Sequence, residues 1–509
     1  MAFLFNEKIS GIQPEIYPQQ NTDEEYATLI KKEQGITNQQ KKQIDSRFNT
    51  TTDPGVSVCG TVINTLKSSV GAGILSFPYG FYIAGWLGGT VACFLITLPI
   101  LYCFQLVGTV RRMIIEDQIK QQKMTGLRAD PSITEDEIRR LALESRVYLE
   151  YNDLAELSVG TKLKNIVTIL VLIAQLGCCA AYVIFMGNNL SHIGANFGPT
   201  AALPRFAYVI AVFPLILGLS FIKSIRGLTP FAFIGTILLI AGFIIVTIHG
   251  LNVVAQKNVP IQLPPMLGNG LILFIGIAIF SMESVTQMPV LQASMTKPSK
   301  FPIIIKWCIF TLMIFYIGIG IGGAALFGKD VDSVITRNMG ATPMGHIARA
   351  LFCAMLLLTF PFQMFPASII VGRYFTPKNE YELNERSDCL KCMTNYYVVR
   401  TLLCVTVIVI ACIFDNFGQF LSLIGYPCMG TLSLVLPPLM ILSLDMKSKN
   451  GRLTTLNRTL CWIIMCVGAV GCLCGTVWTI ADVAKGSQGV EGKEVAKEVA
   501  TTFLQMGMN

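Results

Sequence analysis

Along the chain, apolar residues are gathered into long blocks rather than short amphipathic stripes. Between Lys67 and Arg111 there are 43 residues without a charge; Asn165 to Pro204 gives another 40, and Asn416 to Leu444 gives 29. About 20 apolar residues cross the hydrocarbon of a bilayer as a helix, so each block holds one or two spans. The pattern predicts eleven, near 57–82, 86–110, 165–190, 205–222, 228–250, 268–295, 303–327, 345–372, 396–414, 418–444 and 459–481. The ninth is the least distinct, because only 14 uncharged residues separate Arg400 from Asp415. The fold class is therefore all-α, a multi-pass membrane protein. Residues 1–56, rich in Gln, Lys, Asn and Thr without an apolar period, read as a disordered tail. Residues 111–162 read as a long loop, helical in part from Ile133 to Leu157.

Composition agrees with this division and adds direction. Of 509 residues, 52% are hydrophobic and 14% charged, against about 25% charged in a soluble domain. The formal charge of +8 would suit a nucleic-acid partner, but the basic residues flank the spans, so none is expected. Lys223, Arg226, Lys297, Lys300, Arg373, Lys378, Arg386, Lys391, Lys447, Lys449 and Arg452 fall on one set of loops, and Arg205, Lys257, Lys329 and Arg337 on the other. The positive-inside bias then puts the N-terminal tail and loop 111–162 in the cytosol, and an odd span count puts residues 482–509 on the far side. With a polar start and a first apolar run near Val56, no cleavable signal peptide is expected.

Other motifs change little. Most of the sixteen cysteines (Cys93, Cys103, Cys178, Cys179, Cys353, Cys404, Cys472 and Cys474 among them) lie inside apolar blocks, where thiols pack as small hydrophobes. Cys389-Leu-Lys-Cys392 lacks a second ligand pair, so no metal or cofactor is expected. His192, His249 and His346 fall near membrane ends, and the sequon Asn189-Leu-Ser191 lies close to the third span. With no nucleotide-binding or hydrolytic motif, neither an enzyme nor an ATP-driven pump is indicated. Tyr26-Ala-Thr-Leu29 has the Tyr-x-x-hydrophobic form of endosomal and lysosomal sorting signals, which makes sorting adaptors candidate partners.

Two spans break helix rules at mid-depth. Span one reads Lys67-Ser-Ser-Val-Gly71-Ala-Gly73-Ile-Leu-Ser-Phe-Pro78, and span six reads Phe280-Ser-Met-Glu283-Ser284 with Pro289 beyond. Glycines and a proline weaken a helix where no water satisfies freed amides. Such breaks persist in a bilayer only against protein or a water-filled cavity. Spans one and six correspond under a five-plus-five inverted repeat, and paired interruptions of that kind mark a transporter's binding site. Freed amides and half-helix dipoles suit a carboxylate, and freed carbonyls suit an ammonium, so an α-amino acid fits both. The alternative is that Gly71 and Gly73 only allow close helix packing. On the binding reading, a valine at either glycine fills the cavity and stiffens the break. Lys67 and Glu283 are the ionisable groups nearest mid-depth, suited either to a fixed ion pair or to cation or proton coupling.

These residues resemble the amino acid/auxin permease family, especially its proton-assisted and vacuolar amino-acid branches, over about residues 57–445. The resemblance rests on Gly71-Ala-Gly-Ile-Leu-Ser-Phe-Pro78 with Gly85-Trp86, Tyr151-Asn-Asp-Leu-Ala-Glu156, Gln175-Leu-Gly-Cys-Cys-Ala-Ala-Tyr182, Phe280-Ser-Met-Glu283 and Leu436-Pro-Pro438. It implies a fold of the bacterial leucine-transporter type, with repeats at 57–250 and 268–444, an eleventh helix at 459–481 and a non-cytosolic tail at 482–509. It also implies secondary transport of amino acids. Lys67 stands where sodium-coupled members resemble one another in carrying an Asn, so a built-in ammonium replaces the sodium. Ser284 departs from the glycine that usually follows the span-six Glu. The combined expectation is a transporter of small neutral amino acids working by alternating access, proton-coupled or facilitative and sodium-independent, in a vacuolar, lysosomal or plasma membrane. Gly71, Ala72, Gly73 and Ile74 would present backbone groups to the substrate. Ser281 and Met282 lie opposite, Phe280 and Tyr182 form walls, and Lys67 and Glu283 serve coupling. The rival reading is a receptor that binds an amino acid without net transport; an ion channel lacks any filter-like loop.

Overall fold

The apolar blocks fold as helices because a backbone in hydrocarbon can satisfy its polar groups only internally. The computed structural model describes residues 55–124, 134–196, 203–222, 225–257, 263–375, 386–448 and 451–486. The Tyr26–Leu29 motif and most of the two tails lie outside them, as do the side chains of Cys389 and Cys392.

Span one is α1 (Val58–Ser69), a 3-10 turn (Ala72–Ser76) and α2 (Phe77–Ala84); span two is α3 (Trp86–Met124). Two short helices follow, α4 (Glu135–Glu144) and α5 (Tyr151–Ser158), then α6 (Thr161–Ala195), α7 (Arg205–Ser220) and α8 (Ile225–Lys257). Span six is α9 (Leu271–Met282), a 3-10 turn (Val285–Gln287) and α10 (Met288–Ser294). Beyond it run α11 (Phe301–Phe327), α12 (Pro343–Phe375) and α13 (Arg386–Ile413). Span ten is α14 (Phe417–Ile424), a π-helical stretch (Gly425–Val435) and α15 (Leu436–Lys447), and α16 (Thr455–Gly486) closes the described chain. Among the described residues eight helices are long and apolar enough to cross a membrane. Three shorter apolar helices, Ala72–Ala84, Arg205–Ser220 and Tyr397–Ile413, coincide with the expected first, fourth and ninth spans. The protein is a multi-pass helical membrane protein.

Three departures from the sequence reading have physical causes. The expected loop at 111 is instead the continuation of α3 to Met124, because Arg111 is buried and its guanidinium donates to the carbonyls of Ser145 (2.7 Å) and Val147 (2.9 Å). The indistinct ninth span is helical through Arg400, which is buried and donates to Ser220 O and, at 3.0 Å, to Ile222 O at the end of α7. Span ten is wound as a π-helix before Pro437 and Pro438, which lack the N–H groups that an uninterrupted α-helix requires.

Burial sorts the helices. In α6, 72% of the apolar window is buried, against 28% in α8 and 22% in α16, so α6 is central while α8 and α16 offer apolar faces suited to lipid. The chain entering α1 pairs with the chain leaving α10: Val56 N–H donates to Ser294 O (2.8 Å), and Thr296 N–H donates to Val56 O (3.1 Å). At the other end, Gly270 N–H donates to Ile83 O (3.0 Å) and Gly268 N–H to Ala84 O (2.9 Å), joining α2 to the start of α9.

Candidate substrate site

Both interrupted spans follow one plan. α1 stops at Ser69, and Val70 (φ −96°, ψ 101°) and Gly71 (φ −113°, ψ −166°) are extended. The 3-10 turn Ala72–Ser76, buried throughout, then leads into α2. Pro78 sits in the first turn of α2, where a missing N–H costs nothing. In span six, α9 stops at Met282, Glu283 (φ −73°, ψ 121°) is extended, a 3-10 turn covers Val285–Gln287, and Pro289 sits in the first turn of α10.

The two breaks are fastened to each other. The hydroxyls of Ser69 and Ser284 lie 2.8 Å apart in a buried hydrogen bond. Tyr316 of α11, fully buried, places its hydroxyl 2.9 Å from Ser69 O and 3.2 Å from Ser281 O. Both carbonyls belong to the last turn of a helix, where C=O groups lack a helical partner and carry the negative end of the dipole. The Tyr316 ring lies 4.8 Å from Phe77, and Phe77 lies 5.6 Å from Phe274, so α2, α9 and α11 share an aromatic core beside the breaks. A cavity of about 10 Å³ remains, lined by groups that include Ser69, Thr97, Met282, Leu312 and Tyr316. It has space for about one water, not for an amino acid.

The expected residues take distinct positions around this point. Gly71 is loosely surrounded: a Cβ built there would meet only the Tyr182 hydroxyl, at 3.9 Å. Gly73 is packed: a Cβ would lie 1.9 Å from Ser281 Oγ and 3.1 Å from Ser281 Cα. Ala72 and Ile74 are buried in the turn. The Ser281 hydroxyl donates within its own helix to Ile277 O (2.7 Å), and Met282 Sδ accepts from Thr97 (3.0 Å). Phe280 packs against the π stretch of span ten, 3.3 Å from where a Cβ on Gly425 would stand. Glu283 is half-buried, and its carboxylate faces the N–H (3.4 Å) and hydroxyl (3.3 Å) of Thr286, which fits a cap on the second half of span six. Lys67 lies on α1 two residues before Ser69; its side chain, and with it a Lys67–Glu283 pair, falls outside the described residues. Sequence reasoning missed Tyr316, Ser69 and Thr97. The available signal was a phenol in the middle of an apolar span, since a buried hydroxyl must find a partner.

The family described as "Transmembrane amino acid transporter protein" matches residues 54–125 and 136–481. The chain belongs to this amino acid transporter family. It is 26% identical over 443 residues to Amino acid transporter ANT1 of Arabidopsis thaliana, covering 85% of this chain and 94% of that protein. Amino acid transporter AVT3B of the same plant is 26% identical, with 74% of this chain and 83% of that one covered. Vacuolar amino acid transporter 3 of Saccharomyces cerevisiae is 25% identical over 83% of this chain and 56% of its own length. Similar solved structures include MhsT in complex with L-phenylalanine (12% identity, TM-score 0.45, covering 82% of this chain and 97% of that one). The inward-facing conformation of Mhp1 gives 12% identity, a TM-score of 0.49 and coverage of 85% and 91%. Membership of the amino acid transporter family answers the question of class, and the two fastened breaks are the candidate substrate site.

Proposed function

We propose that this member of the amino acid transporter family is a secondary transporter of small neutral amino acids, sodium-independent and either proton-coupled or facilitative, working by alternating access. Its architecture is a five-plus-five inverted repeat of the leucine-transporter type with an eleventh helix and a cytosolic N-terminus. The observation that carries the reading is the convergence of two helix breaks on one buried point, with extended backbone from span one facing the same in span six. The side chains that fasten the two breaks, Ser69, Ser284 and Tyr316, are uncharged, which favours a neutral substrate over a charged one. The name of the yeast relative, a vacuolar amino acid transporter, favours a vacuolar or lysosomal membrane.

Reconstitution into liposomes tests this. The purified protein is expected to accumulate labelled alanine or serine under an imposed pH gradient, or to equilibrate them without one, in choline as well as sodium medium. Binding without any flux would turn the reading into that of a receptor, and a strict sodium requirement would overturn the ion assignment.

A further inference from the structure

Tyr316 does more in this arrangement than fill the space beside the breaks. A phenol carries one proton, yet its oxygen stands 2.9 Å from Ser69 O and 3.2 Å from Ser281 O, so one donor serves two acceptors. Those acceptors end α1 and α9, and two helix C-termini aimed at one point favour a positive charge. A primary ammonium has three N–H donors and a full charge, and so satisfies both carbonyls better than a hydroxyl can. The cavity beside Tyr316, about 10 Å³, has no room for an amino acid alongside the phenol, so a bound substrate has to displace the hydroxyl to bring its ammonium to the carbonyls. We propose that the Tyr316 hydroxyl and the ammonium of the transported amino acid compete for the carbonyls of Ser69 and Ser281, so that Tyr316 governs how readily the unloaded carrier reorients. This rests on the function proposed above.

The argument for the unloaded step is one of polar accounting. Reorientation without substrate has to carry both carbonyls through a closed, dry state. A buried acceptor left without a donor costs its full desolvation. The Tyr316 hydroxyl supplies that donor and leaves when the ammonium arrives. Ser69 and Ser284 hold the two chain ends in register through their own 2.8 Å hydrogen bond, so the acceptor pair persists whether or not the phenol occupies it.

The test uses the full-length protein in liposomes and a mixture of the twenty labelled L-amino acids. Net uptake into empty vesicles is compared with exchange into vesicles preloaded with the same unlabelled mixture, for wild type and Tyr316→Phe. The variant is expected to lose net uptake by about fivefold or more while exchange stays within about twofold. Its half-saturating concentration in exchange falls roughly five- to tenfold, because the competitor is gone. A tyrosine that is merely structural gives the opposite pattern, with both fluxes falling together and half-saturation rising, and that result or an unchanged variant overturns the proposal. Should Tyr316→Phe not be recovered as a monodisperse protein, 3-fluorotyrosine at position 316 replaces it. Its fluorine resonance must then shift when the amino acid mixture is added, and a fixed resonance overturns the proposal equally. If wild type neither takes up nor exchanges any labelled amino acid, the functional reading fails first and takes this proposal with it.

Discussion

Replacing Gly73 by alanine is the sharpest way to separate packing from binding at the first break. A Cβ at Gly73 would stand 1.9 Å from Ser281 Oγ, 2.8 Å from its Cβ and 3.1 Å from its Cα. Rotating the serine relieves only the first contact; the other two require α9 or the 3-10 turn to move. Overpacking of this kind costs about 1–3 kcal/mol, and 2 kcal/mol is roughly a thirtyfold change in the folded ratio. Gly71 offers the control. Its extended backbone suits any L-residue, and a Cβ there meets nothing closer than the Tyr182 hydroxyl at 3.9 Å. Thermal inactivation in detergent, followed by size-exclusion chromatography, is expected to show Gly73→Ala destabilised and Gly71→Ala close to wild type. Adding Ser281→Gly to Gly73→Ala removes two of the three contacts and is expected to restore most of the loss. Gly73→Ala as stable as wild type, or a double variant no better than the single one, would refute this reasoning. The structure thereby divides two glycines that the sequence treated alike: substitution at Gly71 probes the looser side, and substitution at Gly73 first disturbs the join between spans one and six.

Arg400→Met leaves the carbonyls of Ser220 and Ile222 without their buried donor and is expected to lower stability by about 1–3 kcal/mol, read as an earlier thermal midpoint with unchanged substrate preference. Glu283→Gln is expected to abolish pH-driven concentrative uptake while sparing exchange; if the carboxylate only caps span six through Thr286, both activities persist, which a pH-jump uptake assay decides. Replacing sodium by choline is expected to leave wild-type flux unchanged. The Asp117 carboxylate, accepting a hydrogen bond from Arg452, holds that guanidinium above its usual range. A raised basic pKa stabilises at every pH below the unfolded value and is lost only as pH climbs through the folded one, far above neutrality. The melting difference between wild type and Asp117→Asn is therefore expected to be flat from about pH 6 to 9; a slope in that window would contradict the assignment.

The helices were legible because lipid leaves the backbone few choices, and uncharged blocks therefore announce them directly. What misled was charge. Arg111 and Arg400 look like span boundaries, yet each is buried against carbonyls from a distant part of the chain, which no local window can reveal. The breaks at Gly71–Gly73 and Glu283 were visible because glycine and proline act locally. Tyr316 was not, since its meaning comes from two carbonyls 247 and 35 residues away in sequence. The π winding of Gly425–Val435 left only Pro437 and Pro438 as its trace.

The stitching of Val56 to Ser294 and Thr296 has a mechanical consequence. It ties the lower half of span one to the lower half of span six, just as Gly268 and Gly270 tie the upper halves through Ile83 and Ala84. The bundle thus contains two tied pairs of half-helices, each pair drawing one half from span one and one from span six. The extended residues Val70–Gly71 and Glu283 lie between the two pairs, where the proposed alternating access would use them as paired hinges. Force applied to the N-terminal tail reaches α10 as well as α1. A partner that grips that tail would hold a handle on both breaks at once.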